Sequence, residues 1–488
     1  MKYLGSIYIL LYSFGAVICC KESDLQFWVS DVEGFPQQKN FFKQGCLSPS
    51  SDSSGSHITV DLNKHHQKML GFGAAMTHSS AYLIFNSPHR NQIMESLFSS
   101  SKGAGINVIR MPIDGSDFVP NQPYTYADSG NINDFSINKD KQYMIPILKQ
   151  ALSLNPHLEI IASPWSAPAW MKWAPYWNNQ RSSLNGGSFN MKYADTYATY
   201  LVKFIQAYQH EGVNIYAMTI QNEPGFEADG YPTMKLGAPD ERDFVKVLGP
   251  KFASANIHTK IIIYDHNWDH PEYPISVLND HTAKRYISGS AFHCYGGDRK
   301  SPAQVVNAHP DRDIYFTECT GSGSDTTWKR VFRWNFVNLF VGQPRVFART
   351  VLLWNLALDE NHGPVLTTPG CSRGCGCKDC RGVVTVRNDK SGFDKNIEYY
   401  IIQHFTKFVH RNAIRLESTS DLGDGGTLHS VAFKNPNGDI ILIVINDSWT
   451  SKQTFRVTIG RHTYKYTDIP TEGAVVFRIS EAGSTIIG

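Results

Sequence analysis

Apolar positions follow two different periods in this chain. Between residues 68 and 411, short apolar runs alternate with segments whose apolar residues return every third or fourth position. The runs cover 69–75, 106–113, 158–165, 215–223, 260–265, 289–293, 314–318 and 351–355. Their length and their flanking turn residues mark them as strands. Helical spacing is clear over 141–154, 193–210, 330–340 and 397–409. Eight strands with helices between most of them predict an α/β protein built on a (β/α)8 TIM barrel.

Beyond residue 412 the period becomes two. Runs at 428–434, 440–445, 454–459 and 474–478 alternate as half-buried strands do. Asn437-Gly438 between the first two is a hairpin signal. Residues 57–61 alternate in the same way. This pattern predicts a β-sandwich domain built from the N-terminal segment, 20–67, and the C-terminus, 412–488, with the barrel, 68–411, inserted between them. The polar stretch from Cys20 to Ser56 reads as loop.

The first residues carry a different signal. Lys2 precedes a largely apolar, uncharged stretch, Leu4 to Val17, and Val17 and Cys19 are small enough to precede a cleavage site. Residues 1–19 therefore read as a signal peptide, which routes the chain into the secretory pathway, to a lysosome or the extracellular space. A net charge of +2 without a basic run longer than a pair excludes a nucleic-acid partner. Oxidising conditions allow disulfides among the nine cysteines. Cys371, Cys375, Cys377 and Cys380 crowd one loop and read as disulfide staples rather than a zinc site, their pairing open. Cys294 and Cys319 read as free thiols near strand ends. Asn446-Asp447-Ser448 is a glycosylation sequon.

The chemistry sits where barrel strands end. Glu223 closes the fourth run and Glu318 the seventh. A carboxylate at the mouth of a buried strand is costly unless something pairs it or uses it. Ion-paired strand ends would explain each glutamate alone, but Asp117, Trp165, His293, Tyr295 and Trp354 gather at the same ends. Two carboxyls facing one another across a barrel mouth are the machinery of glycoside cleavage: one protonates the leaving oxygen, and the other attacks or activates water. Asn222 is placed to meet a sugar 2-hydroxyl, and Asp117 to accept from sugar hydroxyls. Trp165 and Trp354 are candidate walls for a sugar ring. Tyr295 suits donation to the nucleophile, and His293 suits holding a carboxylate. No metal or cofactor is called for.

Ile109-Arg110-Met111-Pro112-Ile113 with Ser116-Asp117-Phe118, Tyr124-Thr125-Tyr126-Ala127-Asp128, Ala162-Ser163-Pro164-Trp165, Asn222-Glu223-Pro224, Gly230-Tyr231-Pro232 and Trp354-Asn355-Leu356-Ala357-Leu358 together resemble glycoside hydrolase family 30. The resemblance runs from about Lys68 to the C-terminus. It implies retention, with Glu223 as acid/base and Glu318 as nucleophile, and glucose held by Asp117, Trp165, Asn222 and Trp354. Its glucosylceramide-cleaving members imply hydrolysis to glucose and ceramide, aided by a saposin-like activator and an anionic lipid membrane surface. The motif string favours that substrate over a β-xyloside or β-1,6-glucan, and intact glutamates disfavour an inactive carbohydrate- or lipid-binding protein. Two departures stand out: Cys294 replaces a family Trp, and the loop from Gly370 to Val384 is cysteine-rich, which leaves the leaving-group preference open.

Overall fold

The eight apolar runs close into one parallel barrel: β1 (Gly71–Ala75), β2 (Val108–Ile113), β3 (Glu159–Pro164), β4 (Ala217–Thr219), β5 (Lys260–Asn267), β6 (Ile287–His293), β7 (Asp313–Glu318) and β8 (Ala348–Asn355). This computed structural model describes residues 20–21, 23–33, 35, 42–178, 183–423 and 425–480. The expected signal peptide, residues 1–19, lies outside them.

Alternation along each strand explains the barrel's two faces. Phe72, Ile109, Ile160, Met218, Ile263, Phe292, Phe316 and Leu353 point outward into the core shared with the helices. Inward-facing Val108, Ile161, Ala217, Ile262, Ala291, Tyr315 and Leu352 fill the lumen with Leu70. Strands buried on both faces read as continuous apolar runs, which is why these were legible. The helix over 330–340 differs from a uniform α-helix. An α-helix spans Trp328–Asn335 and continues as a π-helix at Phe336–Phe340, whose wider turn buries Phe336, Leu339 and Phe340 together.

The second module is a nine-stranded sheet in the order Phe42–Leu47, Leu25–Ser30, Ala474–Ile479, Ile440–Asn446, Leu428–Lys434, Ile414–Ser418, Ser56–Lys68, Gln453–Ile459 and His462–Ile469. Both ends of the chain contribute to it. Ile441, Ile443 and Ile445 face the barrel, whereas Ile440, Leu442 and Val444 face the module's own core. That double burial accounts for the unbroken apolar run at 440–445. The predicted hairpin forms, with Lys434 opposite Ile440.

Several expectations need correction. The stretch from Cys20 to Ser56 is not all loop: Leu25–Ser30 and Phe42–Leu47 are antiparallel strands, stapled by the Cys20–Cys46 disulfide. Leu25–Ser30 gains its strand character by pairing with Ala474–Ile479, a partner at the far end of the sequence. Ile414–Ser418 and His462–Ile469 are further strands that short-range pattern did not signal. Cys294 and Cys319 are not free thiols but a disulfide. The loop cysteines pair as Cys371–Cys375 and Cys377–Cys380. The sequon residue Asn446 is buried, and its amide nitrogen donates to the carbonyls of Ser451 (2.9 Å) and Pro470 (3.1 Å). It has no free face for a glycan.

Candidate active site

One step above the apolar plug, the inward positions turn polar. Two residues on from Val108, Ile161, Ala217, Ala291 and Tyr315 come Arg110, Ser163, Thr219, His293 and Thr317, all fully buried. On β5 a bulge intervenes between Tyr264 and His266, where Tyr264 (φ 73°) and Asp265 (φ 60°) adopt left-handed backbone. The extra residue re-aims the strand and turns Asp265 into the lumen.

Arg110 is the hub. Its Nη1 donates to Glu318 Oε2 (2.5 Å), and its Nη2 to Asn222 Oδ1 (2.6 Å), Asp265 Oδ2 (2.8 Å) and Ser163 Oγ (3.2 Å). Its flat face lies 4.8 Å from the Trp165 ring and 5.6 Å from Trp354. Burial opposes the guanidinium charge, but Asp265 and Glu318 more than offset this and raise its pKa. Asp265 also accepts from Ser163 and Thr219 (2.8 Å each) and from Thr317 (2.6 Å). Burial would raise Asp265; Arg110 and His293 instead hold it well below the usual carboxylate range.

His293 bridges this network to the mouth. Its Nε2 is 3.1 Å from Asp265 Oδ1 and its Nδ1 is 3.0 Å from Glu223 Oε1. A ring with a carboxylate on each nitrogen is an imidazolium donating twice. Burial pulls its pKa down, but Glu318 and Asp265 lift it to about 9.

The two glutamates reach the mouth by different devices. β4 ends at Thr219, yet the backbone continues between its neighbours: Asn222 N–H donates to Pro164 (2.8 Å) and Glu223 N–H to Asp265 (3.0 Å). Glu223 then takes φ 48°, which ends the extended run. On β7 a register shift lets Phe316 pair with Phe292 and Glu318 pair with His293, so Glu318 joins Thr317 in facing the lumen. Tyr295 donates to Glu318 Oε1 (2.9 Å), leaving a donor on each carboxylate oxygen. One oxygen of each glutamate and one His293 nitrogen lie within 4.8 Å of one another. Burial raises the Glu318 carboxyl, and the Glu223 charge adds to this against His293 and Arg110. For Glu223, the hydrogen bond and charge of His293 outweigh burial and hold it low. Asp117 is pushed well above its ordinary value by burial and by the Glu318 charge beside it.

The structure thus brings together Asp117, Trp165, Asn222, Glu223, His293, Tyr295, Glu318 and Trp354. One expectation changes. Trp165 and Trp354 are only 2% and 4% exposed, stacked on each other at 5.2 Å and on Arg110. They are a floor beneath the site rather than open walls. Arg110, Asp265, Ser163, Thr219 and Thr317 were missed. Arg110 carried a signal: a full charge inside the apolar run Val108-Ile109-Arg110-Met111 requires buried carboxylates.

A (β/α)8 barrel whose mouth holds two glutamates within 4.8 Å of each other and of one histidine is the site of a glycoside hydrolase. The chain belongs to glycosyl hydrolase family 30: the family's TIM-barrel domain matches residues 69–409 and its beta sandwich domain residues 412–476. Endo-1,6-beta-D-glucanase neg1 of Aspergillus fumigatus is 34% identical over 425 residues, 83% of each chain. Lysosomal acid glucosylceramidase of Mus musculus is 29% identical over 431 residues, 83% of this chain and 80% of that one. The solved structure of the endo-beta1,6-glucanase BT3312 superposes with a TM-score of 0.82 at 30% identity, covering 94% of this chain and 99% of the other.

Proposed function

We propose that this chain is a retaining β-glucanase that cleaves 1,6-linked β-glucan internally, with Glu318 as nucleophile and Glu223 as acid/base. The mechanism rests on the carboxyl separation. One oxygen of each glutamate lies within 4.8 Å of the other, which favours the about 5–5.5 Å carboxyl spacing of retaining enzymes over the about 6.5–9.5 Å of inverting ones. Glu318 attacks the anomeric carbon to form an ester, while Glu223 passes the proton it shares with the His293 imidazolium across their 3.0 Å hydrogen bond to the departing oxygen. Glu223 then takes a proton from the water that opens the ester. Arg110 holds the Asn222 carbonyl oxygen, which leaves the amide NH2 to donate to the sugar 2-hydroxyl.

The substrate rests on similarity. Relatives named as endo-1,6-β-glucanases are 33–34% identical, and those named as glucosylceramidases 28–30%. Among the motifs that suggested glucosylceramide, the residues placed on the sugar, Asp117, Trp165, Asn222 and Trp354, would serve the glucose that both substrates share and do not read the leaving group. Glucosylceramide hydrolysis, with a saposin-like activator and an anionic lipid surface as partners, is the second reading, favoured by the mouse relative. Four disulfides support an extracellular or lysosomal destination. A panel of linear β-1,6-glucan, glucosylceramide and xylan, with the product anomer followed by NMR, tests the proposal. Oligosaccharides from β-1,6-glucan released first as the β-anomer are expected. Release of glucose from glucosylceramide with the glucan untouched would overturn the substrate, and α-anomer first the mechanism.

A further inference from the structure

The doubly stapled loop at 366–381 is not used by the chemistry above, yet it touches the site. Cys380 and Cys377 pack in one cluster with Trp165, Trp354, Phe118 and Tyr231, the floor beneath the two glutamates. The first staple, Cys371–Cys375, lies over Gly230: a Cβ there would meet Gly374 O at 2.5 Å and Cys371 Sγ at 2.8 Å. Asp229 ties the loop down further, accepting from the backbone N–H of Ser372 (3.0 Å) and Arg373 (2.9 Å) and donating its own to Arg373 O (2.9 Å). Gly230 and Asp229 belong to the segment that follows Glu223.

This anchoring fixes where the Arg373 side chain goes. Its guanidinium lies 5.2 Å from the Tyr176 ring and 5.7 Å from Trp177. The two rings pack edge to face at 4.9 Å, and Tyr176 stays 72% exposed. Three loops therefore converge, from the carboxyl ends of β3, β4 and β8, on the face of the barrel where substrates bind. The segment that anchors the stapled loop is the one that Glu223 opens, and Glu223 is the residue proposed to protonate the leaving oxygen, so the three loops are assigned to the departing part of the substrate. An aromatic that stays this exposed can stack on the apolar side of a sugar ring, and the guanidinium beside it offers donors to hydroxyls.

We propose that Tyr176, Trp177 and Arg373 form a sugar subsite on the leaving-group side, which holds the glucan chain beyond the bond being cut. The inference rests on the β-1,6-glucanase reading and deepens it, because a subsite there favours internal cleavage of a polymer. Tyr176→Ala and Arg373→Ala are each assayed on linear β-1,6-glucan and on an aryl β-glucoside, whose leaving group is too small to reach the rim. The kcat/KM on glucan is expected to fall about tenfold more than on the aryl glucoside, the scale of one well-placed contact aromatic. Equal falls on both substrates, or none on glucan, would overturn the subsite while leaving the functional reading intact. Mobility in β-1,6-glucan affinity gels separates the two ideas. If wild type leaves the glucan uncut, the functional reading fails. Retardation of Glu318→Gln that is lost on adding Tyr176→Ala then still supports the subsite, and unchanged or absent retardation overturns it.

Discussion

Arg110 Nη1 lies 2.5 Å from Glu318 Oε2, and the other nitrogen of the same guanidinium lies 2.6 Å from Asn222 Oδ1. One buried cation thus orients the proposed nucleophile and the amide proposed to meet the sugar beside it. Arg110→Lys keeps the charge but cannot span both partners. Turnover is expected to fall about 100-fold or more, the scale of losing a preorganised donor. Arg110→Met strands Asp265 and Glu318 without their counter-charge and should cost about 3–5 kcal/mol of stability. Steady-state kinetics and thermal melts check both; a Lys variant with wild-type kcat would show that charge alone suffices.

Glu318→Gln should lose about 10³-fold or more in rate on every substrate while still binding it. Glu223→Gln should lose about 10²–10⁴-fold on glucan, the usual contribution of a general acid. On an aryl glucoside with an acidic phenol the first step needs little protonation, so the ester should accumulate. A burst of phenol followed by slow turnover is the readout. If the burst appears with Glu318→Gln instead, the two roles are exchanged.

Cys294 and Cys319 join the residues that directly follow His293 and Glu318. Tyr295, the donor to Glu318 Oε1, comes next after Cys294. The bond therefore closes a loop across the register shift between β6 and β7. Replacing both cysteines by Ala should cost about 3 kcal/mol through the unfolded state. It should lower kcat more than it raises KM, because the loosened groups are Tyr295 and Glu318. A variant with a lowered melting temperature and unchanged kcat would confine the disulfide to stability.

The raised pKa of His293 makes stability pH-dependent. Its ordinary value is 6.5 and the two carboxylates lift it to about 9 in the fold. Its contribution is complete below about 6.5 and is lost as pH rises through 9, because the native state then holds a proton that the unfolded chain gives up. Glu241, pushed up to about 8 by burial, acts in the same direction. The difference between wild type and His293→Gln in denaturation midpoints from pH 6 to 10 isolates the histidine. The gap should narrow with rising pH; parallel curves would remove His293 from the account.

Asn446→Asp removes the amide donor from the carbonyls of Ser451 and Pro470 and sets a carboxylate against them. A loss of about 2–3 kcal/mol or more is expected, since a buried charge joins unsatisfied acceptors. Urea midpoints measure it. A near-neutral effect would mean that the strand end at Asn446 opens readily to water.

The barrel was legible because its strands are buried on both faces, so eight apolar runs stand out without knowledge of their neighbours. Glu223 and Glu318 were legible because a carboxylate that ends such a run is costly and therefore conspicuous. The module strands Leu25–Ser30 and His462–Ile469 were not, because a strand on an outer part of a sheet owes its shape to a distant partner rather than to its own period. The same limit applied to the site. The chain alone shows a charge in a strand at Arg110 and an acid at Asp265; only closure of the barrel makes them partners. Bulges on β5 and β7 decide which side chains face the lumen, and a bulge shifts the two-residue period that sequence reading depends on. The sequence by itself determined the fold and the two carboxyls. The tertiary structure decided that the tryptophans lie beneath the site, that Cys294 and Cys319 are bonded, and that Arg110 sits at the centre, because each depends on contacts between segments far apart in the chain.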